Sequence, residues 1–311
     1  MKTVNRSPLN ESKQEQTETS QHQIETPEKR TTEKNTRPAD DGSKSQEMIR
    51  QSIGSSLWST RKHAFLSFAL SLVFAGYLGV HCARKADIPP KLVVPGYQPR
   101  LIVTDQFETA RPIWVTEGLG SAILENGMLS VTVPPESEGF VLWLNRNVDK
   151  SSFQLEYTLS ITDSSGTHGI FFCSEEISGA NILSGHTGRT GKRDEYTHGE
   201  IRNYQVIVHA MNREGAPLGW SRIRKNPNYY LLSHSETDPC IQPRHYLMDV
   251  IKIGNRIQLY VDGILTHDVR DRGGFGQPVY RSGIIGFRFD SLIRPATTRI
   301  GDVRVYQLNP I

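Results

Sequence analysis

The sequence predicts an all-β domain of two antiparallel sheets packed face to face, filling the C-terminal two-thirds of a 311-residue chain. Three observations predict it: period-two alternation dominates from residue 100 onward, turn dipeptides separate the alternating runs, and no helical crossover is present to support a parallel sheet. The clearest run is Phe153-Gln-Leu-Glu-Tyr-Thr-Leu-Ser-Ile161, apolar at every odd position and polar or small at every even one. That is the pattern of a strand with one face buried and one wet.

Taken in order, residues 1–57 read as a disordered tail, since Gln, Glu, Thr, Ser, Lys and Asn dominate and too little apolar surface is available to offset the entropy of ordering. Met48 stands as a candidate translation start ahead of the basic residues Arg50, Arg61 and Lys62. Residues 58–85 are expected to be a transmembrane anchor or signal segment. The run Ala64 to Val80 carries no charge over 17 residues, which as a helix spans about 26 Å against a hydrocarbon core of about 30 Å. Cleavage after Ala83 would put His81 where a small residue is wanted, which favours an uncleaved anchor over a cleaved signal. Either outcome predicts an extracytoplasmic C-terminal domain, on a single-pass membrane protein or secreted. Residues 86–99, with Pro89, Pro90 and Pro95, read as an extended linker.

Residues 100–311 form the β-domain. Expected strands are 101–107, 121–125, 127–133, 139–145, 153–161, 168–174, 200–209, 228–234, 246–253, 256–262, 283–289 and 298–307, with no helix among them. Glu125-Asn126-Gly127, Gly254-Asn255 and Asp262-Gly263 supply turns. Composition narrows the function. Residues 1–91 hold 14 Lys/Arg and 10 Asp/Glu, whereas residues 100–311 hold 22 and 23, so the β-domain is not expected to bind nucleic acid. Three cysteines exclude a disulfide framework. In an oxidising compartment Cys173 and Cys240 have the chance to pair, but the apolar run Gly169-Ile-Phe-Phe-Cys173 equally suits a buried thiol.

The passage Asp249-Val-Ile-Lys-Ile-Gly-Asn-Arg-Ile-Gln-Leu-Tyr-Val-Asp-Gly-Ile-Leu-Thr-His-Asp268 resembles the hairpin of concanavalin A-like lectin and glucanase domains, which are jelly-roll β-sandwiches. A closer resemblance covers most of residues 168–290. Ile170-Phe-Phe, Arg189-Thr-Gly191, Tyr196-Thr-His-Gly-Glu-Ile201 with Tyr204, Arg224-Lys-Asn-Pro227, Asp238-Pro239 and Gly283-Ile-Ile-Gly-Phe-Arg288 are similar, in order and spacing, to the YesU-like family of bacterial domain-of-unknown-function proteins. The resemblance implies a jelly roll connected with breakdown of acidic plant or algal polysaccharides. The chain departs from the family pattern at Arg202 and Tyr204-Gln205, where the family carries Asn and Tyr-His.

Strand 200–209 would present Glu200, Arg202 and Tyr204 on one face and Ile201, Asn203, Gln205 and Ile207 on the other. A concave sheet lined by carboxylate, guanidinium and phenol suits a saccharide groove, and an exposed strand with a cross-strand ion pair suits the same residues. Arg224, Lys225 and Asn226, preceded by Trp220 and Arg222, would grip a uronate or sulfate, because arginine forks onto such oxyanions. Arg189 to Arg193 and Tyr196 read as a loop over the sheet edge.

The Glu-x-Asp-x-x-Glu spacing of retaining jelly-roll glucanases is absent. A β-elimination lyase needs a neutraliser for the uronate and groups to move protons. Arg224, Asn226 and Gln205 are candidates for the first, and Tyr196, His198, Glu200 and Tyr204 are the catalytic candidates. Arg189, Arg202, Lys225 and Arg288 complete the substrate-binding set. The histidines show no metal-ligand spacing, so no metal and no cofactor are expected, with a structural calcium left open. Three classes stand: a polysaccharide lyase or glycoside hydrolase, a non-catalytic carbohydrate-binding module, and a structural envelope protein. The expected partners are a polysaccharide or oligosaccharide, and a membrane through the hydrophobic segment.

Overall fold

The computed structural model describes residues 89–109, 113–135, 137–148, 152–184 and 188–311. The expected tail and hydrophobic segment lie outside these residues. Among the described residues no helix is long and apolar enough to cross a membrane. In chain order the elements are β1 (Tyr97–Asp105), β2 (Trp114–Gly118), β3 (Ser121–Glu125), β4 (Met128–Val133), β5 (Phe140–Leu144), β6 (Ser152–Ser160), β7 (His168–Glu176), α1 (Arg193–Thr197), β8 (Ile201–Val208), β9 (Ser221–Asn226), β10 (Tyr230–Ser235), β11 (His245–Ile253), β12 (Arg256–Val261), β13 (Ile264–Arg270), β14 (Ile284–Phe289) and β15 (Ala296–Pro310).

They form a jelly-roll-like sandwich. The first sheet runs β13-β12-β11-β6-β15-β4-β3 with β1 also paired to β15, and the second runs β10-β9-β8-β7-β14-β5-β2. The described pairings are antiparallel. Alternation along each strand builds the core. Leu155, Tyr157, Leu159, Val250, Leu259 and Ile300 from the first sheet meet Leu142, Leu144, Ile170, Phe172, Val206 and Phe287 from the second. Each such buried aliphatic or aromatic side chain contributes about 1.5–3 kcal/mol. The expected tight turns form: Asn126 and Gly127 between β3 and β4 both take positive φ, as two-residue hairpins require.

Three features differ from the sequence expectation. α1 is present but not expected, because five residues are too few for helical periodicity to register in the sequence. Its first turn is held by the Glu195 carboxylate, which accepts from the backbone N–H of Thr190 and Lys192. Strands β2, β9 and β13 also lay outside the expected set. Two of these are five or six residues long, and β9 reads Ser-Arg-Ile-Arg-Lys-Asn, whose cations hide its alternation. The linker is docked where described: Lys91 N–H donates to Glu156 at 2.7 Å and Gln154 donates to the Leu92 carbonyl at 3.1 Å. Of the two alternatives left open for Cys173 and Cys240, the structure shows buried free thiols.

Candidate functional site

The outer face of the second sheet is divided in two. Val141, Trp143, Phe171, Ile201 and Ile284, all pointing away from the main core, gather a second apolar cluster under Tyr196 and Ile182 of the β7–β8 connection. Trp143 and Phe171 stack at 5.7 Å, and Phe171 stacks on Tyr196 at 5.6 Å. Glu117 closes this half. It accepts from Trp143 Nε1 at 2.9 Å, from Tyr196 Oη at 2.9 Å, and from Arg189 in a two-point ion pair. Close backbone approach seals the margin: a Cβ on Gly191 would sit 2.2 Å from the Gly139 carbonyl and 2.8 Å from the Gly118 Cα.

The other half is open. Strand register aligns Arg222 of β9, Ile207 of β8, Gly169 of β7 and Arg288 of β14 in one row across the sheet. Over this row lies a cleft of about 240 Å³, lined also by Gln205, Met211, Leu218, Trp220, Tyr229, Arg193 and Asp290. Gly169 keeps the floor low, since a Cβ there would meet Arg288 Cβ and Gln205 Nε2 at 3.4 Å each. Two rings are pinned by guanidinium groups: Arg222 lies 3.8 Å over Trp220 and Arg224 lies 3.7 Å over Tyr229. Gln205 is 4% exposed, and its Oε1 has no hydrogen-bond partner. Arg224 Nε is also without one, and burial lowers the basicity of that guanidinium below its ordinary value. A buried amide oxygen and guanidinium N–H left open are what a polar ligand would complete.

The residues singled out from the sequence are dispersed between this cleft and the interior. Gln205, Arg224 and Arg288 lie on the cleft side of the sheet, but Arg288 is spent. Its guanidinium donates to the Gly191 and Glu138 carbonyls at 2.7 and 2.9 Å and pairs with Asp290 at 2.6 Å. Asn226 donates to Asn203 at 2.8 Å, and Asn203 in turn donates to the Tyr196 carbonyl, so both amides brace the sealed half.

The expected face of β8 is reversed. Tyr204 points into the sandwich, where its hydroxyl donates to Asp271 at 2.6 Å and accepts from Tyr280 N–H at 3.0 Å. Lys225, its cross-strand neighbour, pairs with Asp271 at 2.8 Å with both side chains at most 1% exposed. Arg202 pairs with Glu175, and Glu200 is exposed at the mouth of β8. Tyr196 and Arg189 are consumed in the Glu117 cluster. Burial, reinforced by Glu117, pushes the Tyr196 phenol well above its ordinary range, and burial with the Asp271 hydrogen bond does the same to Tyr204. His198 sits on the exposed end of α1, its ring 6.1 Å from that of Tyr229 and its Nδ1 3.0 Å from Thr197 Oγ1.

Arg193, Gly169 and Asp290 line the cleft without having been singled out from the sequence as site residues. Trp220 and Arg222 enter the sequence reading only as neighbours of the basic stretch. Reading residues 221–226 as a strand would have placed Arg222 and Arg224 together on the face of Gln205. Among the described residues, no three His, Cys, Asp or Glu side chains gather into a group able to hold a metal ion.

Comparison with known proteins agrees with this architecture. A family model described as a domain of unknown function, DUF1961, matches residues 100–303. A solved Bacillus subtilis protein of unknown function with a galectin-like fold is similar at a TM-score of 0.62 and 22% identity, covering 69% of this chain and 100% of its own. The endo-β-1,3-glucanase of Pyrococcus furiosus is similar at a TM-score of 0.51 and 16% identity, covering 72% of this chain and 100% of its own. Both are likenesses of fold. No curated protein matches the chain.

Proposed function

The chain belongs to the DUF1961 family of jelly-roll domains of unknown function, and from that membership we propose that its outer-face cleft binds an acidic plant or algal polysaccharide outside the cytoplasm, as a non-catalytic carbohydrate-binding module. The observation that carries this reading is the make-up of the cleft. Trp220 and Tyr229 offer ring surface for the apolar faces of sugars, Arg193 and Arg222 offer cations for a uronate or sulfate, and Gln205 offers an open acceptor. Such a mixture of apolar lining and a few fixed polar groups is typical of small-ligand sites. A glucanase with the same fold supports a saccharide as the ligand class.

Catalysis by hydrolysis fits less well, since it calls for two carboxyl groups about 5 Å or about 6.5–9.5 Å apart. Asp290 is the one carboxylate among the described residues lining the cleft over Gly169, where Arg288 already holds it, and Glu138 and Asp194 line only the recess beyond Arg193. One observation favours a second reading, a β-elimination lyase: His198 and Tyr229 stand beside Arg224 at the rim, a cation next to two groups able to move protons.

The test is to incubate the full chain with pectate, alginate and sulfated galactans, measuring affinity by calorimetry and ultraviolet absorbance for unsaturated ends. Binding without product, weakened about tenfold or more by Trp220→Ala, is the expected result. Product formation abolished by Tyr229→Phe would replace the module with the lyase. Absence of binding to every polymer would remove both.

A further inference from the structure

The cleft does not stop at Arg193. A second recess, of about 280 Å³, is lined by Ser137, Glu138, Lys192 and Asp194, and it shares Arg193, Arg288, Asp290 and Leu292 with the first. The shared floor is fixed. Arg288 is 1% exposed and is tied at once to Asp290, to the Gly191 carbonyl beneath α1 and to the Glu138 carbonyl beside the second recess. The shared wall is an exposed arginine on the first residue of α1, carrying charge at the junction.

The two recesses differ in character. The first is built from rings and aliphatic side chains, Trp220, Tyr229, Leu218 and Ile207, with cations at its edges. The second is polar throughout its distinctive lining, where Lys192 stands 3.9 Å from Glu138 and Thr190 Oγ1 donates to Glu138 at 3.1 Å. A repeating chain that presents a ring face in one unit and an acid group at the next linkage would match that sequence of surfaces. A lone small molecule would use only one of them.

We infer that the recesses on either side of Arg193 are successive positions for one acidic oligosaccharide of at least two units, with Arg193 pairing with the acid group at the junction and Lys192 engaging the second unit. This rests on the saccharide-binding reading above and deepens it, from a ligand class to a ligand length and direction across the sheet. Charge-assisted contacts of this kind are stronger than neutral ones and specific in geometry.

The experiment is calorimetry of the full chain against galacturonic, guluronic and mannuronic acids as single units and as oligomers of two to five units. Affinity is expected to rise steeply from one unit to two or three and then level off. Lys192→Ala and Arg193→Ala should each lower the ratio of trimer to monomer affinity about tenfold, whereas Trp220→Ala should weaken both ligands and leave the ratio unchanged. Lys192 and Arg193 are exposed, so both variants should keep the wild-type circular dichroism spectrum. A single unit that binds as tightly as the trimer, or a ratio unmoved in both variants, would overturn the two-position inference while leaving saccharide binding intact. No binding of any length or sugar would instead remove the function from which it was drawn.

Discussion

Individual residues separate the groups that hold this fold from those that line the open cleft, and Lys225 is the sharpest case. From the sequence it belonged with Arg224 and Asn226 in a cationic patch. In the structure it is fully buried against Asp271, while its neighbour Arg224 stays on the cleft side. Removing one partner of a buried ion pair leaves the other uncompensated, so Lys225→Ala is expected to cost about 3–5 kcal/mol. Urea unfolding would read that loss, and affinity measured on the folded protein should stay near wild type. Unchanged stability with lost affinity would return Lys225 to the site. The sequence could not assign β8 and β9 to their faces because both carry polar side chains on both faces, so alternation alone gave no sign of which side is wet.

Buried histidines give stability a pH dependence. Burial lowers His168 to about 3 and His267 to about 4, from an ordinary 6.5. Below pH 6.5 the unfolded chain takes up protons that these rings refuse, so stability falls on acidification until the folded values are reached, by up to about 1.4 kcal/mol per pH unit for each ring. Asp249 acts oppositely. Burial raises it to about 6, so between pH 3.8 and 6 its contribution improves on acidification. His209, lowered by burial, and Asp238, raised by burial, add one group of each sign, so three rings outweigh two carboxyls, and urea midpoints should drop between pH 7 and 5, less so in His267→Gln. A flat profile would contradict the burial of these rings.

Among the elements, the β7–β8 connection decides how much of the sheet is available. Its apolar residues cover Trp143 and Phe171, and its short helix supplies the wall of the cleft. Neither role was legible beforehand. The segment from Arg189 to His198 reads as a charged, glycine-containing loop, and its anchoring partner, Glu117, lies more than seventy residues away in a strand too short to be recognised. Gly191 has φ of +90° and no room for a side chain. Gly191→Ala is therefore expected to undock the connection at a cost of about 1–3 kcal/mol or more. Limited proteolysis should cut the variant between residues 184 and 199 much faster than wild type, with weaker saccharide binding as the wall is lost. Equal cutting rates would show that the margin has slack the geometry denies.

For the whole molecule, the sandwich was readable because its signal is repeated in nearly every strand: Phe153 to Ile161, Met248 to Val261 and Ile284 to Phe289 all put alternate side chains into one core. The docked stretch before β1 was not readable. Prolines announce an extended conformation without saying what it lies against, and the partners, Gln154 and Glu156, are simply the polar positions of an alternating strand. Deleting residues up to Val94 should uncover Glu156, Gln154 and Asp249 and lower the melting temperature by several degrees, with affinity for saccharide retained. No change in melting would mean the contact contributes nothing measurable.

The same stretch has a geometrical consequence. It lies on the first sheet, and Ile311 N–H bonds to the Gly96 carbonyl, so the domain's entry and exit are neighbours on the side remote from the cleft. A surface or bead attached through Ile311 therefore grips the back of the molecule and leaves the cleft turned outward.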